Sequence, residues 1–333
     1  MHTSFSDKMI PQYKMCVAPM MDWTDRHCRF FLRLLSPNAR LYTEMITATA
    51  LIYGDAEKLL KFDVAEHPVA LQLGGNDPVM MATAADLGAK AGYDEININV
   101  GCPSDRVQSG QFGACLMANS DVVASCYKEM KATIDVPVTV KTRIGIDDQN
   151  SYEFLSKFVR TLQAAGCNTF IVHARIAILQ GFSPKDNRSI PPLNYDYVYK
   201  LKREFPNLNI VLNGGIENVE QALSHIAHID GLMIGRQAYR EPYFLAELEQ
   251  ALLINKEWQP PSRCEIVYLM IPYIQRELST GTELKNITRH LLGLFAGQPG
   301  ARAWRRYLSE KAHLPGAGVE VLHAALEKLP KVL

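Results

Sequence analysis

Residues 99–117 read NVGCPSDRVQSGQFGACLM and put one thiol, Cys102, between Gly101 and Pro103. The alternating run YDEINI (93–98) comes just before, so a strand ends and a Gly/Pro loop begins at that cysteine. A cysteine meant for packing sits on an apolar face, whereas one on such a loop is offered to whatever approaches. Its chemistry is that of a nucleophile or a redox thiol. Cys16, Cys126 and Cys167 lie on apolar faces and read as inert core thiols. Cys115, in FGACLM, shares the loop with Cys102, and the two could pair under oxidation.

Further polar residues stand at the ends of β-branched runs. They are Asp22, Glu44, Gln72, Asn97, Asn99, Lys141, Arg143, His173, Arg175, Asn213 and Arg236. A lysine inside PVTVKTRIG carries a heavy desolvation cost unless it meets an anion or a polar ligand. NGGIENVEQA and MIGRQAYREPYF put Gly214, Gly215 and Gly235 between a strand and a helix, where backbone N–H groups can approach a phosphate. Arg236 could pair with that phosphate. A phosphate-bearing polar ring ringed by Gln72, Lys141, His173 and Asn99 suggests FMN, with Lys141 stabilising negative charge on the reduced ring. Pyridoxal phosphate is the competitor. It ranks lower because Lys141 neighbours Arg143 and no acidic partner for a pyridinium nitrogen is evident.

Eight runs position these residues: 13–20, 39–45, 68–74, 93–101, 137–145, 169–175, 209–216 and 231–237. Amphipathic stretches separate several of them, opened by Asp77-Pro78, Asn119-Ser120 and Ser151. Eight strand–crossover units predict a (β/α)₈ TIM barrel with its site at the C-terminal strand ends. No G-x-G-x-x-G follows the first run, which disfavours a doubly wound sheet. The pattern changes near residue 255, where NKEWQPPSR reads as a linker. CEIVYLMIPYIQREL, ELKNITRHLLGLFA, ARAWRRYLSEKA and GVEVLHAALEKL then predict a small helical bundle. The expected division is a barrel over 1–254, a linker over 255–261 and a helical domain over 262–333.

Composition excludes more than it selects. Hydrophobic residues make up 47% and charged residues 21%, as in an ordinary soluble chain, and the formal net charge is zero. Residues 262–333 nevertheless hold 10 Lys/Arg against 6 Asp/Glu, leaving a compensating acidic excess before them. No run reaches a membrane span, and the N-terminus lacks the apolar core of a secretory signal. Seven cysteines without CxxC spacing fit reduced thiols in the cytoplasm, with no disulfide and no metal site. His27, His225 and His228 show no metal-ligand pattern.

Taken together, VAPMMDWTDRHCR, PVALQLGG, YDEININVGCPSDRV, VPVTVKTRIGIDD, HAR, NGGI and IGRQAY resemble the bacterial tRNA-dihydrouridine synthases over roughly residues 13–315. SPKDNRSIPPLNY and ARAWRRYLSEKA resemble the subgroup that acts on D-loop positions 20 and 20a. The resemblance implies an FMN-binding TIM barrel with a helical RNA-binding domain, reducing the C5=C6 bond of a tRNA uridine with NADPH as reductant. Pro19, Met20, Gln72, Lys141 and His173 would then contact FMN, while Asn213, Gly214, Gly215, Gly235 and Arg236 hold its phosphate end. Cys102 would be the catalytic acid.

In that reading a hydride passes from flavin N5 to uracil C6, and Cys102 protonates C5. A thiol of ordinary pKa, about 8.5, is mostly protonated at pH 7 and still acidic enough to donate. The uridine must leave its stack to be reached. Asn99, beside the thiol, is placed to read the uracil imide or, alternatively, only to stabilise the turn. Lys185 and Arg188 of SPKDNR and Arg302 and Arg305 of ARAWRR are expected on the tRNA backbone. Arg302 and Arg305 share a helix face, with Trp304 directed to the core. A monomer is expected. The rival functions are a flavin enzyme acting on a free small molecule and a non-enzymatic tRNA-binding module.

Overall fold

The computed structural model describes residues 13–104, 110–252 and 258–330. Residues 1–12, Asp105 to Val107 of the GCPSDRV motif, and 255–257 of the expected linker lie outside the described residues. Eight parallel strands close into a barrel in sequence order: β1 Met15–Val17, β2 Arg40–Thr47, β3 Val69–Gly74, β4 Glu95–Val100, β5 Val138–Arg143, β6 Thr169–His173, β7 Asn209–Asn213 and β8 Gly231–Ile234. This is the predicted TIM barrel. The strands are shorter than the hydrophobic runs. Arg175 falls beyond β6, and Arg236 opens a helix, Arg236–Arg240, where a strand was expected.

Period-two alternation sorts each strand between two cores. Ile96, Ile98 and Val100 of β4, with Val138 and Val140 of β5, join the layer between sheet and helices. The inner core is small: Tyr13, Cys16, Ala18, Tyr42, Ala70, Ile171, Val211 and Met233. Glu95, Asn97, Asn99 and Thr139 occupy the opposite strand face from that apolar layer, and all are buried. Each of these four side chains makes a hydrogen bond there, which offsets the cost of burying it.

The crossover helices start where the caps predict. Asp77 Oδ1 accepts from Met80 N with Pro78 in the first turn, and Ser151 Oγ accepts from Phe154 N. Asn119 makes no side-chain cap bond, because the 3₁₀ turn Gly113–Asn119 runs straight into helix Ser120–Thr133.

Residues 258–261 are without regular structure. Ser262 and Glu265 then form a capping box that opens helix Arg263–Ser279. This helix lies on the barrel helix Arg26–Leu35: the Phe30 and Tyr273 rings stack at 3.9 Å, and the Tyr273 hydroxyl pairs with His27 Nδ1 at 2.7 Å. Arg26 meets Glu277 at 2.5 Å, and Asp25 accepts from Arg289 at 2.6 Å. The second expected helix, ELKNITRHLLGLFA, is regular only over Leu284–Thr288. Turns follow, in which a side chain at Gly293 would collide with Arg240 O and Gly297 takes φ +75°. Helices Ala301–Lys311 and Glu320–Leu326 complete the unit. Trp304 is fully buried and donates from Nε1 to Leu291 O at 3.1 Å.

Candidate functional site

Cys102 sits two residues past the end of β4, and three neighbours fix its loop. Gly101 N and Cys102 N both donate to Asn99 Oδ1, at 3.1 and 3.0 Å. Cys102 O accepts from Ala114 N at 2.9 Å. Arg143 Nε donates to Gly101 O at 2.9 Å, and its Nη1 to Ile176 O and Asn187 O at 2.8 and 3.0 Å. One guanidinium thus ties the thiol loop to the segments after β6. Burial, with Arg188 and Arg175 nearby, lowers the Arg143 pKa to about 10 against the pull of Cys102, so it stays charged at neutral pH. The Cys102 thiol is half-buried and stands 3.4 Å from Ser104 Oγ. Cys115 turns elsewhere: its Sγ donates to Phe112 O at 3.0 Å, and burial raises its pKa.

Under the loop lies a floor of carboxamides. Asn99 Nδ2 donates to Gln72 Oε1 at 2.8 Å, and Gln72 Nε2 donates to Asn97 Oδ1 at 2.7 Å. The backbone of Gln72 is itself held at an irregularity in β2, where pairing with β3 slips between Tyr42 and Met45. There Gln72 N donates to Thr43 Oγ1 at 3.0 Å. Asn99 is therefore first a loop anchor. Its oxygen is taken by two backbone donors, and one N–H is left for a ligand.

The adjoining wall is cationic. Lys141 pairs with Asn99 across β4 and β5, and its Nζ donates to Asn213 Oδ1 at 3.1 Å. Asn213 Nδ2 donates to Met233 O at 2.7 Å, which fixes the amide's direction. Burial, then the charge of Arg143, lowers the Lys141 pKa to about 7 although Cys102 opposes this. His173 is held well below its ordinary value by burial and by Arg143, Lys141, Arg175 and Arg236, so it is neutral. Its Nδ1 is buried and has no hydrogen-bond partner among the described residues. Gly214 and Gly215 take φ +115° and +71°, and a side chain on Gly214 would press on the His173 ring. An added Cβ at Gly235 would meet nothing closer than 4.0 Å. Arg236 Nη2 donates to Arg188 O at 3.0 Å rather than pointing alone at the barrel axis. Buried cations, an orphaned imidazole nitrogen and bare backbone form a site whose chemistry fits an anionic ligand with a polar ring.

The remaining expected residues fall as follows. Pro19 and Met20 follow β1, half-buried, and Met20 N donates to Thr24 Oγ1 at 2.9 Å. Lys185, just before the 3₁₀ turn Asp186–Arg188, and Arg188 within it are exposed, in the segment that Arg143 holds. Arg302 and Arg305 are exposed on helix Ala301–Lys311 of the C-terminal unit. Thr43 and Thr139 were not picked out by sequence reasoning, and the holding role of Arg143 was missed. The alternation in VTVKTR, which puts Thr139, Lys141 and Arg143 on one face, was the available signal.

A family model described as dihydrouridine synthase matches residues 16–329. The tRNA-dihydrouridine(20/20a) synthase of Shewanella oneidensis is 57% identical over 313 residues, covering 94% of this chain and 93% of its own. The protein of the same name in Vibrio cholerae is 56% identical, covering 95% and 97%. That of Escherichia coli K12 is 57% identical, covering 93% and 90%. Among solved structures, a 2-naphthoyl-CoA reductase complex shares the fold, with a TM-score of 0.56 and 10% identity, covering 72% of this chain and 50% of that one.

Proposed function

The chain belongs to the dihydrouridine synthase family of oxidoreductases, and from that premise we propose that it reduces the C5=C6 bond of uridines 20 and 20a in the tRNA D-loop, with FMN as cofactor and NADPH as reductant. The observation that carries this reading is the juxtaposition across β4 and β5. Asn99, which anchors the Cys102 loop, is the register partner of Lys141, whose ammonium faces the glycine-lined end of the barrel.

Asn213, Gly214, Gly215, Gly235 and Arg236 would hold the phosphate, and Pro19, Met20, Gln72, Lys141 and His173 the ring. Bound there, the flavin would supply the two electrons that reduce the pyrimidine. Lys141 answers the negative charge on that ring, and an anion beside it favours its protonated form. Neutral His173 offers its orphaned Nδ1 as a hydrogen-bonding atom without adding charge. Cys102 gives its proton to C5 of the uracil, and the free Asn99 N–H is available to a uracil carbonyl. The uridine reaches the thiol by leaving its stack, at a cost of a few kcal/mol offset by contacts in the pocket.

We extend the proposal to a barrel over 1–254, a linker over 255–261 and a tRNA-binding helical domain over 262–333. Lys185 and Arg188 would hold the backbone beside the barrel mouth, and Arg302 and Arg305 would hold it on the helical domain. A tRNA substrate implies a cytoplasmic enzyme, and no helix among the described residues is long and apolar enough to cross a membrane.

The test is to purify the protein and to map dihydrouridine in tRNA from cells lacking it. A flavin spectrum, with loss of dihydrouridine at positions 20 and 20a alone, is the expected result. A colourless protein, or intact modification at both positions, overturns the proposal.

A further inference from the structure

The carboxamide floor continues downward through the barrel. Asn97 Nδ2 donates to Thr139 Oγ1 at 2.7 Å, and Thr139 Oγ1 donates to Glu95 Oε1 at 2.5 Å. Glu95 is fully buried, receives the Tyr42 hydroxyl at 2.8 Å on the same oxygen, and faces Arg40 at 3.5 Å. Read from the top, every donor points the same way: from Gly101 and Cys102 N–H to Asn99, then Gln72, Asn97, Thr139 and Glu95.

Both ends of this chain are fixed by chemistry. Backbone N–H groups can only donate, and Glu95 Oε1, which takes both the Tyr42 and the Thr139 hydroxyl, accepts. Burial raises the Glu95 pKa against the pull of Arg40, and a proton held there would sit on Oε2, the oxygen outside the chain. Between them stand three amides and one hydroxyl, each of which could point either way in isolation. A single arrangement satisfies every link, because reversing one amide sets donor against donor at one end or acceptor against acceptor at the other. Hydrogen bonds aligned in series also strengthen one another.

We propose that Glu95, at the floor of the barrel, is a positioning residue that sets the direction of the Asn97, Gln72 and Asn99 amides and thereby clamps the Cys102 loop. Glu95 touches neither substrate nor thiol. Its carboxylate determines that Asn99 turns its oxygen, not its NH₂, toward the two loop amides. The identity of Glu95 therefore matters more than its volume. In Glu95→Gln the new amide places its oxygen toward Arg40 and its NH₂ toward Thr139, which drives the chain into the opposite direction. Asn99 would then present donors to the Gly101 and Cys102 donors, and the loop would be released.

This inference rests on the reading of Cys102 as proton donor for its functional meaning, but its test involves no turnover. FMN-loaded, tRNA-free protein is compared with its E95Q, T139V and T139S variants. Two probes are used: deuterium exchange of the backbone amides of Gly101, Cys102 and Ser104, and the rate at which iodoacetamide alkylates Cys102. Loss of the aligned chain in E95Q and T139V is expected to raise both by roughly tenfold. T139S keeps the hydroxyl and should stay near wild type. Exchange in β7 serves as the control, because general loosening moves it too. Wild-type exchange and alkylation in both E95Q and T139V overturn the proposal, as does an equal rise in β7. If E95Q does not fold, the contrast between T139V and T139S decides it. Should the loop loosen while Cys102→Ala still reduces uridine, the clamp stands and the proton-donor reading falls.

Discussion

Asn99 Oδ1 lies 3.0 Å from the backbone nitrogen of Cys102 and accepts its hydrogen, so the residue beside the thiol first holds it in place. Asn99→Ala removes that bond together with those to Gly101 N and from Asn99 Nδ2 to Gln72. Each lost bond at a partly buried site costs about 1 kcal/mol. A loop displaced by that much should lower the rate of uridine reduction on the order of 10²-fold. Flavin content should not change. Single-turnover reduction of tRNA by pre-reduced enzyme measures this, and an unchanged rate would remove the anchoring role.

Lys141 supplies a pH dependence whose sign is fixed by its position. Its pKa in the folded protein is about 7, below the ordinary lysine value of 10.5, through burial and the neighbouring Arg143. Between those values the unfolded chain holds the extra proton, so this group makes ligand-free protein more stable as pH rises from about 7 to about 10.5. An anionic flavin reverses the preference, because it favours charged Lys141. Flavin affinity should therefore weaken as pH rises through 7, and a titration should register proton uptake on binding. Lys141→Met should flatten that profile and weaken binding at every pH. A flat wild-type profile would count against Lys141 as the ring's partner.

The sequence makes much of this architecture legible, for a physical reason. A barrel strand exposes one face to helices and one to the interior, so the apolar half of EININV and VTVKTR announces the sheet while the polar half announces the site. Lys141, His173 and Asn213 were visible as charges or amides where an apolar interior would not take them, and the structure brings the three together. Direction is what could not be read. The letter N at 97 or 99 says nothing about which way its amide turns, and that depends on Glu95, Thr139 and Gln72 across three strands. The β2 slip that lets Thr43 hold Gln72 is likewise a matter of strand register. The helix expected over 283–296 is regular only over Leu284–Thr288, and further on Gly293 packs against Arg240 O, a contact between distant segments that local pattern does not reveal.

The seat of the C-terminal helices on the barrel should be sensitive to acid. Burial acts to raise the Asp25 pKa, but hydrogen bonds and charge from His290, the Cys28 amide and Arg289 outweigh it and hold the carboxyl well below its ordinary value. A depressed carboxylate gives stability that is present above its unfolded pKa, near 3.8, and lost as pH falls below it. Asp25→Asn keeps an N-cap for helix Arg26–Leu35 but removes the charge facing Arg289 and His290. It should destabilise the protein by about 1–3 kcal/mol at neutral pH. Denaturant midpoints at pH 7 and pH 3 check this, and the variant should lose less than wild type between them.

On the tRNA side, Arg302 and Arg305 should act through phosphate. Replacing both with Ala should weaken tRNA binding and flatten the dependence of log affinity on log salt, by about 1 in slope for each lost contact. Trp304→Ala, by contrast, should cost about 3–5 kcal/mol of stability, because its ring fills the core of the helical unit. Filter binding across salt concentrations, set beside thermal unfolding, separates the two effects.

In the proposed reaction the Cys102 thiol delivers the proton to C5 of an extruded uridine, and dividing the reaction of Cys102→Ala into its halves isolates that step. Reduction of the bound flavin by NADPH and binding of tRNA should match wild type, while oxidation of the reduced enzyme by tRNA should slow by about 10²–10⁴-fold. Oxidation by tRNA at the wild-type rate, with dihydrouridine formed, would mean that a group other than Cys102 protonates C5.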